Sequence, residues 1–197
     1  MFNDKFGLTQ AVLDGRKTMT RRIVSEKLLD RWTDYDDFCN NVSVENAPTE
    51  RQYYDEKDFF LNNAPYKLGE VVAIAQSYKD IGYNGEYSWV QDGIHYHRDR
   101  AAGWANKMFV KVNLMPHHIE ITGIKVERLQ DISDEDILRE GIYRFNDFIF
   151  AFDDNKGYIH SFDSAKEAFI SLINKVSGKG VFQSNPFVFA YEFRLTD

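Results

Sequence analysis

Cys39 is the only thiol in this chain. That excludes an internal disulfide and any zinc site built on several cysteines, and it suits a reducing compartment. Cys39 stands beside Asp34, Asp36 and Asp37, an acidic neighbourhood that disfavours the thiolate and with it a nucleophilic role. No apolar run approaches the ~20 residues a membrane helix needs. The opening MFNDKFGLTQ also lacks the charged-then-apolar plan of a secretory leader. These two absences point to a cytoplasmic protein with no membrane partner. Cations are short as well: 24 Lys and Arg against 31 Asp and Glu give a formal net charge of -7. Sequence-independent binding to long nucleic acid draws most of its affinity from neutralising phosphates, so that class is disfavoured, while a nucleotide-sized ligand held by one basic patch is not. The chain contains no internal repeat and no low-complexity tract.

What is present is length enough for one domain with a proper core, 197 residues, and an aromatic complement of 16 Phe, 11 Tyr and 3 Trp that suits a strand-rich interior. Against the acidic background, the stretch Gly15-Arg16-Lys17-Thr18-Met19-Thr20-Arg21-Arg22 reverses the local charge, with four cations and two hydroxyls in eight residues. One reading is that the cations complement the end of a preceding helix. The other is that they line a pocket for an anionic or carbonyl-bearing ligand. Leu8, Val12 and Leu13 recur at helical spacing, Thr9 is suited to cap the start and Gly15 to end it, so residues 9–14 read as a short helix that delivers the basic stretch into a turn. In a strand Lys17 and Thr20 would face opposite sides; in a turn they converge.

Residues 25–64 are charged and aromatic with weak periodicity, and Asn46-Ala47-Pro48 divides them into two helical candidates, SEKLLDRWTDYDDF and TERQYYDEKDFFL. This stretch reads as an insertion whose aromatic residues pack on the body in preference to forming a lid. After Pro65 a turn feeds a buried strand ending near Ala75. Residues 78–105 read as a second insertion, in which YSWV and IHYH flank Asp92-Gly93 as a hairpin. Two more strands are expected at 107–112 and 119–129, the second bent at Gly123. Ser133 caps a helix that Gly141 stops, leaving Glu140 at its negative end; on helix-end grounds a solvated glutamate is the favoured reading, and the alternative is that a nearby cation or a catalytic duty compensates. Ser164 and Glu167 form a capping box for a third helix, whose stripe Ala165, Ala168, Phe169, Leu172, Ile173 and Val176 is core. The last strand alternates, with Phe187, Phe189, Tyr191, Phe193 and Leu195 on one face.

In order and spacing these pieces resemble the ASCH family. The resemblance rests on Gly15-x-Lys17-x-x-Thr20-x-Arg22, on Lys67-Leu68-Gly69-Glu70-Val71, on the run Val126 to Ile132 leading to Glu140-Gly141-Ile142, and on Asn185-Pro186-Phe187-Val188-Phe189. It spans nearly the whole chain, and the longer ASCH proteins of phages and prophages are the most similar, through Ala105-Asn106-Lys107-Met108 and Met115-Pro116. The resemblance implies an α+β fold, a PUA-like β-barrel with flanking short helices, here one domain over residues 1–197 with the two insertions. It also implies a nucleoside or RNA-related ligand. In one subgroup, amidohydrolases that deacylate N4-acetylcytidine, the catalytic lysine, threonine and glutamate fall by motif on Lys17, Thr20 and Glu140. Arg21 departs from that subgroup, which is apolar there.

The chemistry is coherent. Desolvation and the like charges of Arg16, Arg21 and Arg22 would loosen the Lys17 proton, letting the amine deprotonate Thr20 for attack on an amide while Glu140 serves the leaving group. Water attacking directly, oriented by Lys17 and Thr20, fits equally. Arg16, Arg21, Arg22, Tyr78 and Trp104 are the candidate ligand-binding residues. The alternatives are a non-catalytic module that stacks an RNA end or modified base on Tyr78 or Trp104, and a ribonuclease using Lys17 and Glu140. His95, His97, His117 and His118 match none of the recurrent zinc spacings, and the lysine, threonine and glutamate need neither metal nor cofactor.

Overall fold

The computed structural model describes residues 2–41, 54–82, 89–91, 94–96 and 102–196. Its centre is strand β9 (Phe187–Leu195), which lies between β1 (Met19–Ile23) and β5 (His118–Arg128); β2 (Val71–Ala73) completes an antiparallel sheet in the order β1-β9-β5-β2. Because β9 is central, its alternation buries both faces over its first half: Val188 and Ala190 are as enclosed as Phe189 and Tyr191. The register between β5 and β9 shifts at Ile121/Gly123, the bend anticipated at that glycine. The sheet curls into a half-barrel, and its two edge strands, β1 and β2, line one concavity with Tyr66 and Tyr191. The architecture is mixed α+β.

Among the described residues, six α-helices lie around this sheet. Helix α1 (Leu8–Leu13) starts at Gly7 and not at a Thr9 cap; Thr9 lies inside the helix and donates its hydroxyl to Asp4. Gly15 does turn the chain, at a φ of 72° open to glycine. Helices α2 (Glu26–Asn41) and α3 (Glu56–Asn62) form the first insertion. They meet through Trp32 and Phe59, with ring centroids 5.3 Å apart, and Phe60 joins the body against Phe187 at 5.4 Å, so these aromatic residues pack as expected, whereas Phe38 is 45% exposed and Tyr53 lies outside the described residues. The break at Asn46-Ala47-Pro48 and residues 49–53 of the second helical candidate lie outside the described residues. The second insertion holds the hairpin β3 (Trp89–Gln91) and β4 (Ile94–Tyr96); its Asp92-Gly93 turn and His97 lie outside the described residues.

Three expectations are corrected. Residues 107–112 do not form a strand but parts of two 3-10 turns, Lys107–Phe109 and Val112–Leu114, because the Asn106 side chain accepts the Met108 N–H and holds the chain in a turn. Strand β2 is a half-exposed edge, with Val71 on the outside. And a second sheet, β6 (Tyr143–Arg144), β7 (Phe150–Asp153) and β8 (Ile159–Phe162), occupies a region where no element was expected. Helix α4 (Asp134–Arg139) starts at Ser133, which accepts the Asp136 N–H, and ends with Glu140 as its C-cap. Helix α5 (Ala165–Ser177), capped by Ser164, packs on β7, β8 and α4. Phe169 and Leu172 are core, whereas Val176 is partly exposed at a cavity. The short α6 (Val181–Ser184) leads through Asn185 into β9. Among the described residues no helix is long and apolar enough to cross a membrane.

Candidate functional site

Strand β1 enters the sheet immediately behind the α1 turn, which decides where each signature residue goes. Thr18 donates its N–H to the Arg139 carbonyl and Lys17 its N–H to Ala11, so the turn is tied between α1 and the end of α4. From there β1 alternates: Met19 and Arg21 are buried, while Thr20 and Arg22 lie on the other, half-buried side. The basic stretch is thus a turn over Gly15–Thr18 and a strand from Met19, not a turn throughout. Lys17 and Thr20 nevertheless line the same cavity, since Lys17 precedes the strand and turns inward beneath it.

That cavity measures about 490 Å³ and is amphipathic. Asn3, Asp4, Lys17, Lys107, Glu140 and the β1 residues Thr20, Arg21 and Arg22 make its polar side; Phe2, Leu8 and Ile23, with Phe169, Leu172, Ile173 and Val176 of α5, make the apolar one. Its size falls within the roughly 300–1,000 Å³ of small-molecule sites.

Lys17 is 2% exposed. Its ammonium donates to the Met19 carbonyl at 2.7 Å, the Glu140 carbonyl at 2.8 Å and Glu140 Oε2 at 2.6 Å, which uses all three of its protons. The cation anticipated for the unfavourably placed Glu140 is therefore Lys17, which also satisfies a carbonyl at the end of α4. Burial pushes the Lys17 pKa below its ordinary value; attraction to Glu140 opposes this, and the Arg22 and Arg21 charges reinforce it. Arg16 takes no part in that shift.

Arg21 borders the cavity and turns its guanidinium inward to a group of carboxylates. Its guanidinium donates to Glu127 Oε1 at 2.6 and 2.9 Å, to Asp136 Oδ2 at 2.9 Å and to Glu140 Oε1 at 3.0 Å, and its side chain is 1% exposed. The fifth guanidinium N–H donates to Met19 Sδ at 3.3 Å, so every Arg21 donor is engaged within the protein even though its side chain borders the cavity. Lys125 closes the group with bonds to Asp136 at 2.7 Å and Glu127 at 3.2 Å. Lys17, Arg21 and the half-exposed Lys125 thus face Glu127, Asp136 and Glu140, and Arg139 approaches Asp136 from the far side at 3.6 Å, so each buried carboxylate has a cation beside it. Burial works to raise the Asp136 carboxyl, but the Lys125 and Arg21 hydrogen bonds outweigh it and hold it below its ordinary range.

The other candidates divide. Arg22 lines the cavity as expected. Arg16 lies outside it, paired with Asp14 at 3.1 Å on the surface. Tyr78 is buried, and its hydroxyl accepts the Lys111 N–H at 2.8 Å; neither it nor Trp104 lines the cavity, so the expected stacking platform is not at this site. Glu127, Asp136 and Lys125 were missed. The available signal was Arg21 itself: a cation on the same strand face as buried Met19 requires carboxylates from a neighbouring element. Among the described residues, no three His, Cys, Asp or Glu are grouped to hold a metal ion, and the His95 and His97 side chains lie outside the described set.

Gly141, with a φ of 101°, lets the chain leave α4 beside the Lys17 stem: a Cβ there would meet Leu8 Cδ2 at 3.2 Å and Lys17 Cδ at 3.5 Å. Gly141→Ala is expected to cost roughly 1–3 kcal/mol of stability in denaturant unfolding, from left-handed strain plus this crowding. Compared with known proteins, the chain matches no family model, no curated protein and no solved structure.

Proposed function

We propose that this chain is an ASCH-type pocket protein acting on a nucleoside or RNA-related ligand, and specifically an amidohydrolase that deacylates an N4-acylated cytidine-like substrate. The observation that carries the reading is the Lys17–Glu140 contact, 2.6 Å between two nearly solvent-free side chains, at the wall of a substrate-sized cavity that Thr20 shares. Such a pair is costly to bury and, beside a hydroxyl, has the parts that amide hydrolysis needs.

In the proposed cycle the Lys17 proton moves to Glu140 Oε2, leaving a neutral amine and a carboxylic acid without changing the net charge of the buried group. The amine removes the Thr20 hydroxyl proton as Oγ attacks the amide carbon. Arg22, on the same strand face, stabilises the oxyanion. Glu140 gives its proton to the departing amine as the C–N bond breaks. Lys17 then passes the proton it took from Thr20 to Glu140, and the neutral amine deprotonates the water that attacks the threonyl ester. Glu140 returns a proton to Thr20 Oγ as the ester C–O bond breaks, releasing the carboxylic acid. Arg21, donating to Oε1, keeps the other Glu140 oxygen aimed at Lys17. A module that merely holds RNA would place its cations where phosphates reach them, and Arg21 is instead enclosed by three carboxylates.

Mass spectrometry of cytidine released from N4-acylcytidines tests this reading. Thr20→Val should abolish product while leaving the melting temperature near that of the wild type, since Thr20 lies at a cavity wall; retained turnover would sink the threonine nucleophile. The pH dependence is a second check. If neutral Lys17 is the base, kcat/KM rises with pH along a limb centred below the ordinary lysine value of 10.5. Arg22→Gln removes a like charge, so the limb should move to higher pH; a limb that stays put means another group titrates.

A further inference from the structure

A second cavity of about 180 Å³ lies in the concave face of the half-barrel, and it shares Phe2, Thr20 and Arg22 with the first. The remainder of its wall is of another kind. Val72 and Ala73 of β2, Ile74 and Ala75 just beyond it, and Ile119 and Ile121 from β5 are apolar, and Tyr66 stands beside them. Tyr191, which pairs with Thr20 across β1 and β9, closes it, and its deeply enclosed phenol is pushed up to about 12, mainly by burial, so it carries no charge near neutrality. Thr20 and Arg22 thus stand at the junction of two spaces, one lined by ions and one nearly devoid of them.

We infer that the two cavities form one bipartite site, in which the ion-lined cavity takes the polar nucleoside and the cavity inside the sheet takes a branched or aromatic apolar acyl group. This rests on the amidohydrolase reading. With the scissile carbonyl at Thr20, the two halves of an amide must leave that point in different directions, and the shared Thr20 and Arg22 are where they would part. The pyrimidine presents ring nitrogens and exocyclic groups that need partners, which the aliphatic wall does not supply. Size decides the rest. An acetyl methyl is of the order of one water's ~30 Å³ share, whereas an apolar cavity of about 150 Å³ holds benzene. The inner cavity therefore fits a benzoyl or branched aliphatic group and is mostly empty around acetyl.

A single missing methylene in an apolar pocket costs about 10-fold or more in discrimination. N4-benzoylcytidine should accordingly exceed N4-acetylcytidine in kcat/KM by at least ten-fold. Ala75→Leu, and separately Ala73→Leu, fill the inner cavity from two positions and should reduce that ratio at least ten-fold. Benzamide binding, followed by ligand-observed NMR on wild type and both variants, reads the subsite without catalysis. Benzamide bound by the wild type and lost in the variants supports the subsite even where no cytidine is released, in which case only the hydrolase reading falls. Turnover that favours acetyl and ignores both substitutions overturns the subsite and leaves the hydrolase reading standing. Neither benzamide binding nor turnover overturns both.

Discussion

Arg21→Met should be among the most destabilising single substitutions in this protein, lowering the melting temperature by about 10 °C or more. Removing one partner of a buried ion pair costs about 3–5 kcal/mol, because the remaining charge stays buried, and for a chain of this size each kcal/mol is worth roughly 2–4 °C. Here one guanidinium serves Glu127, Asp136 and Glu140 together. Against a total stability of ~5–15 kcal/mol, the loss decides whether much of the protein stays folded. Arg21→Lys should recover part of the loss, since it restores charge without the planar fork. The pH dependence fixes the cause. Asp136 is depressed in the folded state, so its contribution is present above the unfolded value near 3.8 and is lost as pH falls through the depressed one. The gap between wild type and Arg21→Met should therefore be widest near neutrality and shrink as the carboxylates protonate. A gap that does not change with pH would mean that lost packing, not unpaired charge, destabilises the variant.

Lys17→Met carries the largest expected effect on activity, a fall in kcat/KM of about 10²–10⁴, the range attributed to a positioned acid or base. It also leaves Glu140 Oε2 and two carbonyls without the donor that satisfied them, so lost folding and lost chemistry must be separated. The double variant Lys17→Met with Glu140→Gln removes the carboxylate charge along with the ammonium. Thermal unfolding should show it more stable than Lys17→Met alone, and it should be no more active. Activity that returns with stability would reduce Lys17 to a structural counter-ion.

Much of this fold is legible in the residues. Helix α5 and strand β9 announce themselves by long, clean periodicities, and the Gly123 register shift by a glycine interrupting an alternating strand. Glu140 was legible only as an electrostatic problem, a carboxylate at a helix C-terminus; a solvated side chain was the favoured reading, and its burial against Lys17 comes from the tertiary fold. Strands β6, β7 and β8 were not, as two to four residues are too few for a period to show. Residues 107–112 look strand-like by composition, and a single asparagine side chain overrides that. The site was half readable. Lys17, Thr20, Arg21, Arg22 and Glu140 do line one cavity, but the pairing of Arg21 depends on carboxylates more than 100 positions away, and the removal of Tyr78 to the Lys111 loop depends on packing that no local pattern records.

The central claim is that the buried Lys17–Glu140 pair performs acyl transfer beside Thr20. The most direct test is a mass-spectrometric assay of the purified protein against N4-acylated cytidines, run beside Lys17→Met and Thr20→Val. The expected result is release of cytidine and the free acid by wild type and by neither variant. Release by folded Lys17→Met at the wild-type rate, or no release from any acylcytidine by a wild-type protein shown to bind it, would contradict the claim.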